Sequence, residues 1–176
     1  MSDKKNMLIF IVDDDAIQLE MLKDYLSKSN KYKVVPFSSG EDCLQNLSQN
    51  PDIIFLDYNL NSVNKKAKDG LSVLKEIKKT NPNTEVVMFS GQEKIEVAVN
   101  TMTFGAFDYI VKSESAFVRA ENVIKNILKR HTLEKESKQF KRLAITFGTL
   151  FFILVVGTIV AYAMGYITDG QVGADL

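Results

Sequence analysis

The sequence predicts an α/β fold, in which a parallel sheet of five strands is covered by helices on both faces, followed by one apolar helix. Two observations lead to this prediction. In the first part of the chain, short apolar runs alternate with helical patterns, and five such strand–helix units require a parallel sheet. Residues 143–167 then run for 25 residues without a charged side chain. A helix of this length can cross a bilayer core of about 30 Å.

Each strand is predicted from a short run that is apolar at successive positions. The first run, "MLIFIV", has the composition of a strand that is covered on both faces. The run "IIFLD" differs from the others because it ends in a carboxylate, which is costly to bury. The five strands are predicted at residues 7–12, 32–37, 53–57, 85–90 and 108–112.

The helices are predicted between the strands from apolar residues at helical spacing and from capping residues. In the first helix, Leu19, Leu22 and Leu26 recur at intervals of three and four residues. Asp15 precedes this helix and is expected to be its N-cap rather than a metal ligand. The helices are predicted at residues 16–29, 40–49, 70–80 and 92–102, and from about residue 115 onward.

Polar side chains follow four of the five predicted strands. In open parallel sheets, functional sites lie beyond the carboxyl ends of the strands, where the winding direction reverses. If the first and third strands are neighbours, their carboxylates converge, and a cluster of carboxylates favours a divalent cation with oxygen ligands. The residues at these strand ends are Asp13 and Asp14, Asp57, Ser90 and Lys112.

Composition, motifs and segment lengths argue against several classes of function. The 22 basic residues balance the 22 acidic residues among 176, so overall charge gives no indication of a nucleic-acid partner. The single cysteine, Cys43, excludes an intramolecular disulfide bond and is expected to be a small core residue. No phosphate-binding loop of the G-x-x-x-x-G-K-[ST] type occurs. Only 30 residues separate Lys112 from the apolar run, too few for a helix-turn-helix domain.

The apolar run at 143–167 is expected to be a transmembrane helix that anchors the chain. Basic residues precede it in "KESKQFKR", whereas the following "TDGQVGADL" has none, so the N-terminal side is expected to be cytoplasmic. We therefore expect a single-pass protein of the cytoplasmic membrane, in contact with its lipid. Residues 131–142 form a predicted juxtamembrane helical linker, and 168–176 a short extracytoplasmic tail.

Four motifs in this order and spacing, "IFIVDDD", "IIFLDYNL", "VVMFSG" and "DYIVK", resemble the receiver domain of two-component response regulators. The resemblance covers residues 6–130. It implies a flavodoxin-like, doubly wound sheet with strand order 2-1-3-4-5. It also implies a partner that donates a phosphoryl group, either a sensor histidine kinase or a phosphotransfer protein, and an output through contact with a downstream protein.

The resemblance assigns a role to each residue at the strand ends. Asp57 matches the aspartate that accepts the phosphoryl group. Asp13 and Asp14, together with Asp57 and the backbone carbonyl of Asn59, match the ligands of Mg²⁺. The residues that match the phosphoryl-stabilising and switch positions are Ser90, Lys112 and Tyr109. The implied chemistry is self-phosphorylation and slow dephosphorylation, not turnover of a separate substrate.

The sequence departs from the family pattern at two places. The segment "YNLNSVNKKAKD", which follows Asp57, is longer than usual and rich in lysine. Ser113 rather than proline follows Lys112, so the cis peptide bond of the family is expected to be absent and the placement of the lysine is open.

Two alternative functions remain open at this stage. One is a membrane docking module that is not phosphorylated. The other is a phosphatase of the haloacid dehalogenase type, which requires a D-x-D motif where this chain has Asn59. Within the apolar run, Gly157, Ala161 and Gly165 recur every four residues, and this small-residue face predicts a homodimer of the membrane helices.

Overall fold

The computed structural model describes residues 6–61 and 66–163. The strands are β1 (Met7–Val12), β2 (Tyr32–Phe37), β3 (Ile53–Leu56), β4 (Glu85–Ser90) and β5 (Asp108–Val111). The helices are α1 (Ala16–Ser27), α2 (Gly40–Gln45), α3 (Gly70–Thr80), α4 (Ile95–Thr103) and α5 (Ala116–Ala163). A short 3₁₀ turn, Leu47–Gln49, follows α2. The sequence predicts these two pieces as one helix.

The five strands form one parallel sheet in the order β2-β1-β3-β4-β5, as the resemblance to receiver domains implies. β3 and β5 each end one residue earlier than predicted, so Asp57 and Lys112 lie immediately beyond the sheet. β1 and β3 are neighbours, and Val12 pairs with Leu56. The residues that follow this pair, Asp13 and Asp57, therefore emerge side by side at one edge.

Two apolar cores cover the two faces of the sheet. On one face, Leu19, Leu22 and Leu26 of α1 pack with the first turns of α5. On the other face, Cys43 of α2 packs with apolar residues of α3, and its side chain is completely buried. All buried members of both cores lie between residues 8 and 127. The α/β domain therefore has a complete core without the later part of α5.

Capping residues determine where the helices that follow β1 and β3 begin, namely α1 and α3. Asp15 is the N-cap of α1, and its Oδ1 accepts hydrogen bonds from the backbone N–H groups of Ile17 and Gln18 at 2.9 and 3.3 Å. This confirms the predicted cap. Asp69 caps α3 in the same way, with its Oδ1 2.7 Å from the backbone nitrogen of Ser72. Each capping carboxylate satisfies N–H groups that have no partner within the helix.

α4 begins at Ile95, three residues later than the sequence predicts. The reason is that the backbone of Gln92 is bound elsewhere. Its N–H donates to Ser90 Oγ at 3.2 Å, and its carbonyl accepts a hydrogen bond from the Tyr109 hydroxyl at 2.6 Å. Tertiary contacts therefore delay the start of this helix.

The chain divides into two compact units, and the second begins at Leu128, within α5. In this second unit α5 continues to Ala163, and its apolar side chains from Leu143 onward are largely exposed. Gly157 and Ala161 lie on this helix. Among the predicted features, Gly165, the last residues of the apolar run (164–167), the tail 168–176 and residues 62–65 of the long loop lie outside the described residues.

Candidate functional site: an acidic pocket at the strand ends

Three carboxylates converge at the carboxyl edge of the sheet. One oxygen from each of Asp13, Asp14 and Asp57 lies within 4.8 Å of the others. The side chains of Asp13 and Asp57 are only 3 % and 4 % exposed. The backbone N–H of Asp57 donates to the Val12 carbonyl at 2.9 Å, which fixes β3 against β1 at this point.

Lys112 joins two of these carboxylates. Its ammonium nitrogen lies 2.7 Å from Asp13 Oδ2 and 3.3 Å from Asp57 Oδ1. The backbone N–H of Lys112 donates to the Ser90 carbonyl at 2.8 Å, which aligns the end of β5 with β4. No peptide bond between described residues is cis, so Lys112 reaches the pocket with a trans bond to Ser113.

Burial and charge together shift the pKa values in the pocket. Burial raises the pKa of Asp13 to about 6; the Lys112 ammonium opposes this shift, and the charge of Asp57 adds to it. Burial likewise raises the pKa of Asp57, again against the effect of Lys112. Burial alone lowers the pKa of Lys112, but its hydrogen bond to Asp13 and the two nearby carboxylates outweigh this effect and raise it. The pocket therefore holds carboxylates that a further cation would stabilise.

The residues of the pocket fit Mg²⁺. This ion prefers oxygen ligands and is usually bound by one or two carboxylates together with water and substrate oxygens. Asp57 Oδ1 is buried, and apart from its ion pair with Lys112 it accepts no hydrogen bond from the described residues. With all groups ionised, three carboxylates and one ammonium give a net charge of −2, which a divalent cation would neutralise.

Asn59, the predicted fourth ligand, lies close to the cluster. Its backbone N–H donates to Asp57 Oδ2 at 3.1 Å, so the chain turns tightly after β3. The role of its carbonyl as a metal ligand stays a prediction.

Ser90 and Tyr109, the predicted switch residues, are connected through one backbone segment. Ser90 is completely buried at the end of β4. Its hydroxyl accepts from the Gln92 N–H, and the Tyr109 hydroxyl donates to the Gln92 carbonyl. Burial raises the pKa of Tyr109, partly offset by the Ser90 hydroxyl. Both switch positions therefore contact the segment that leads into α4.

Gly70 belongs to the site, although the sequence analysis does not predict it. A Cβ atom at this position would collide with the carbonyl oxygen of Asp57 and lie 2.7 Å from the Cα of Tyr58. The Gly70 N–H also donates to the Tyr58 carbonyl at 2.9 Å. The start of α3 can therefore approach the backbone of Asp57 only because residue 70 has no side chain. The Asp-Gly pair at 69–70 is the one sequence signal of this contact.

Comparison with known proteins agrees with this geometry. The sequence model described as "Response regulator receiver domain" matches residues 9–123. The chain is 29% identical over 105 residues to the chemotaxis protein CheY of Thermotoga maritima, covering 59% of this chain and 83% of that protein. It is 37% identical over 108 residues to a protein-glutamate methylesterase/protein-glutamine glutaminase of Trichodesmium erythraeum, covering 59% of this chain. The match spans only 29% of that longer relative.

A solved structure extends the similarity to three dimensions. The receiver domain of NtrX from Brucella abortus superposes with a TM-score of 0.61 at 32% identity, covering 69% of this chain and 98% of that domain. Receiver domains of this kind bind Mg²⁺ at the acidic pocket and interact with histidine kinases or phosphotransfer proteins. The fold, the acidic pocket and the match over residues 9–123 lead to one conclusion: the chain belongs to the response regulator receiver domain family.

Proposed function

We propose that this chain is a membrane-anchored receiver that accepts a phosphoryl group on Asp57 and signals through protein contact. The observation that carries the proposal is the arrangement of Asp57, Asp13 and Lys112, in which one ammonium group lies between two buried carboxylates. A structural ion pair would need only one of these carboxylates. The second carboxylate and Asp14 are useful if the pocket binds a cation and a phosphoryl group.

The proposed reaction is a transfer between two covalent carriers. A carboxylate oxygen of Asp57 forms a bond to phosphorus as the bond from phosphorus to the imidazole nitrogen of the donor breaks. The electron pair of that bond stays with the imidazole, and the product on Asp57 is an acyl phosphate. The aspartate is the nucleophile, so the chain needs no general base and has no separate substrate to turn over.

The residues around Asp57 stabilise the charge that develops during transfer. Charge spreads over three phosphoryl oxygens, so catalysis consists mainly of positioning and electrostatic stabilisation. Lys112 Nζ, at 3.3 Å from Asp57 Oδ1, is placed to hold one of these oxygens. When bound by Asp13, Asp14, Asp57 and the Asn59 carbonyl, Mg²⁺ would supply a second positive charge.

The proposed output uses the segment between Ser90 and α4. Ser90 moves to donate a hydrogen bond to the new phosphoryl group. This movement shifts the Gln92 backbone, whose N–H is bound to Ser90 Oγ, and Tyr109 responds through its bond to the Gln92 carbonyl. α4 begins three residues after Gln92 and carries exposed apolar side chains at helical spacing. These side chains are Ile95, Val99 and Met102, which are 78 %, 60 % and 45 % exposed. A protein with a complementary apolar surface is the partner we expect.

The proposed membrane anchor is the later part of α5. Among the described residues, one helix is long and apolar enough to cross a membrane. No side chain in its most apolar part is buried, which argues against a core helix, and it lies far from the N-terminus, which argues against a signal sequence. The 21 described residues from 143 to 163 would extend about 32 Å at 1.5 Å per residue, enough to cross the hydrocarbon core.

Association of two anchors is a further part of the proposal. Gly157 and Ala161 are four residues apart on α5, and small residues at this spacing allow two membrane helices to approach closely. A genetic reporter of membrane-helix association that carries residues 138–170 should lose signal with Gly157→Leu. An unchanged signal would leave the anchor as a tether of single chains.

The proposed phosphorylation is tested on a fragment of residues 1–142, which contains the complete core. The fragment should incorporate phosphate from acetyl phosphate only when Mg²⁺ is present. Asp57→Asn should abolish incorporation because an amide is not a nucleophile of this kind. Undiminished labelling of Asp57→Asn would refute Asp57 as the acceptor. A folded wild-type fragment that takes up no phosphate at saturating Mg²⁺ would favour the docking module that is not phosphorylated.

A further inference from the structure

Positive charge is concentrated in the part of α5 that lies between the receiver core and the apolar run. Residues 128–142, which we call the basic segment, contain six Lys and Arg residues and two Glu residues, a net charge of +4 with His131 neutral. Residues 1–127 contain 16 basic and 18 acidic residues, a net charge of −2. The overall balance of the chain therefore conceals two regions of opposite sign.

Three cationic side chains of the basic segment are exposed to a partner. Lys135, Lys141 and Arg142 are exposed on α5. Glu134 accepts a hydrogen bond from Arg130 Nε at 3.0 Å, so part of its charge is already neutralised within the helix. Phe140, beside Lys141, is 76 % exposed. An apolar ring next to two cationic side chains matches a surface that is charged outside and apolar beneath.

The position of the segment along the helix identifies its partner. Arg142 directly precedes the apolar run, and Lys135 lies seven residues earlier on the same helix, about 10 Å along its axis at 1.5 Å per residue. Because the charge of a membrane surface is felt over a Debye length of about 8 Å at physiological salt, these side chains lie within or near its reach. Clusters of four to eight Lys and Arg residues beside a membrane helix are typical of segments that bind anionic lipids.

We propose that the basic segment binds the head groups of anionic phospholipids at the cytoplasmic surface. The proposal rests on the proposed membrane span, which would hold the segment at that surface. Continuity with the apolar run favours lipid over nucleic acid, because a span at residue 143 presents the segment to phosphate groups of the bilayer.

The test uses the 1–142 fragment, which has the complete receiver core and the basic segment but lacks the apolar run. Its partition is measured onto vesicles of phosphatidylcholine alone and onto vesicles with equal parts of phosphatidylcholine and phosphatidylglycerol. At about 0.1 M salt we expect sedimentation with the anionic vesicles only, and at about 1 M salt, where the Debye length is about 3 Å, we expect release.

Two matched variants separate charge from folding. Lys135→Gln, Lys141→Gln and Arg142→Gln combined should lower the partition coefficient about a hundredfold, because each basic side chain near an anionic surface contributes roughly fivefold. Lys135→Arg with Lys141→Arg keeps the charge and should keep the binding. Phosphorylation from acetyl phosphate, measured on each variant, should be unchanged because the receiver core is untouched.

Three outcomes would overturn the proposal. They are equal binding to neutral vesicles, unchanged binding of the glutamine variant, and displacement of the fragment from anionic vesicles by duplex DNA at an equal phosphate concentration. Resistance of the full chain to carbonate extraction tests the span separately. A carbonate-resistant chain whose 1–142 fragment ignores anionic lipid would refute only the head-group contact, whereas a full chain released by carbonate would refute the span itself.

Discussion

Lys112 determines how the acidic pocket can hold two carboxylates beneath the surface. Burial raises the pKa of both Asp13 and Asp57, and the ammonium group between them opposes that shift. Because the pKa of Lys112 is itself raised, the ammonium stays charged at neutral pH. The remaining negative charge of the pocket is what a divalent cation would neutralise, so metal binding should add directly to the stability of the fold.

The first prediction concerns metal removal. Mg²⁺ at ten times its dissociation constant should increase the free energy of unfolding of the 1–142 fragment by about 1.4 kcal/mol, because it binds the folded state only. EDTA should remove this increment. Thermal unfolding with and without Mg²⁺ measures it, and Asp57→Asn, which lacks one carboxylate, should show a clearly smaller increment. An equal increment in both proteins would place the metal elsewhere.

The second prediction concerns pH and Cys43. Burial raises the pKa of this thiol from 9.0 to about 12. Between these values the thiol ionises in the unfolded chain but not in the folded one, so the free energy of unfolding should fall as pH rises. The expected slope from this group is about 1.4 kcal/mol per pH unit. Denaturant unfolding between pH 9 and 11 measures the free energy of unfolding of the wild type and of Cys43→Ala. The wild-type value should fall with pH more steeply than that of the variant, by this slope. Parallel plots of the two free energies against pH would contradict the prediction.

The third prediction concerns the close approach of α3 to Asp57. Gly70→Ala must displace the Asp57 carbonyl or the Tyr58 backbone, and we expect a loss of about 1–3 kcal/mol in the free energy of unfolding. Phosphorylation from acetyl phosphate should also slow, because the backbone that carries the acceptor moves. Gly91→Ala is the matched control, since among the described residues no atom other than those of its two chain neighbours lies within 4 Å of a Cβ there. Equal effects of the two substitutions would exclude a special role for Gly70.

At the scale of elements, the sequence was sufficient where a helix or strand is defined by its own residues. The bounds of β1, β2 and β4 follow from short, mainly apolar runs in the sequence, and Asp15 identifies the start of α1. The start of α4 could not be predicted, because the bonds that delay it come from Ser90 and from Tyr109, 17 residues away from Gln92 in the chain. No local pattern carries that information.

The residues of the site likewise include some that the sequence predicts and some that it does not. The convergence of Asp13 and Asp57 follows from their places at the ends of neighbouring strands, although the strand order itself came from the resemblance to receivers. The position of Lys112 between them was open, because the missing proline left its backbone uncertain. Gly70 went unnoticed because a close approach between two backbones leaves no side-chain pattern in the sequence.

The fourth prediction concerns the later part of α5 as a membrane anchor. The full chain should stay with the membrane pellet after carbonate extraction, because carbonate removes proteins held by charge but not a helix that spans the bilayer. Ending the chain at Arg142 should release it into the carbonate supernatant. Protease added from the cytoplasmic side alone should digest the receiver. A truncated chain that stays in the carbonate pellet would show that the anchor lies elsewhere.

For the whole molecule, the proposed function brings a phosphorylation site to a membrane surface. A receiver attached to a membrane helix is confined to a thin layer, which raises its effective concentration toward other membrane-bound proteins. A sensor kinase in the same membrane would meet it often, and so would a second copy of the chain. Signalling through these encounters depends on whether Asp57 carries the phosphoryl group.

The measurement that tests this claim most directly locates the phosphoryl group itself. The 1–142 fragment is treated with acetyl phosphate and Mg²⁺, reduced with borohydride, which converts an aspartyl phosphate to homoserine, and digested for tandem mass spectrometry. The proposed function predicts homoserine at position 57 alone, and none when Mg²⁺ is omitted. Homoserine at Asp13 or Asp14, or phosphate retained on His131 with Asp57 unmodified, would contradict it.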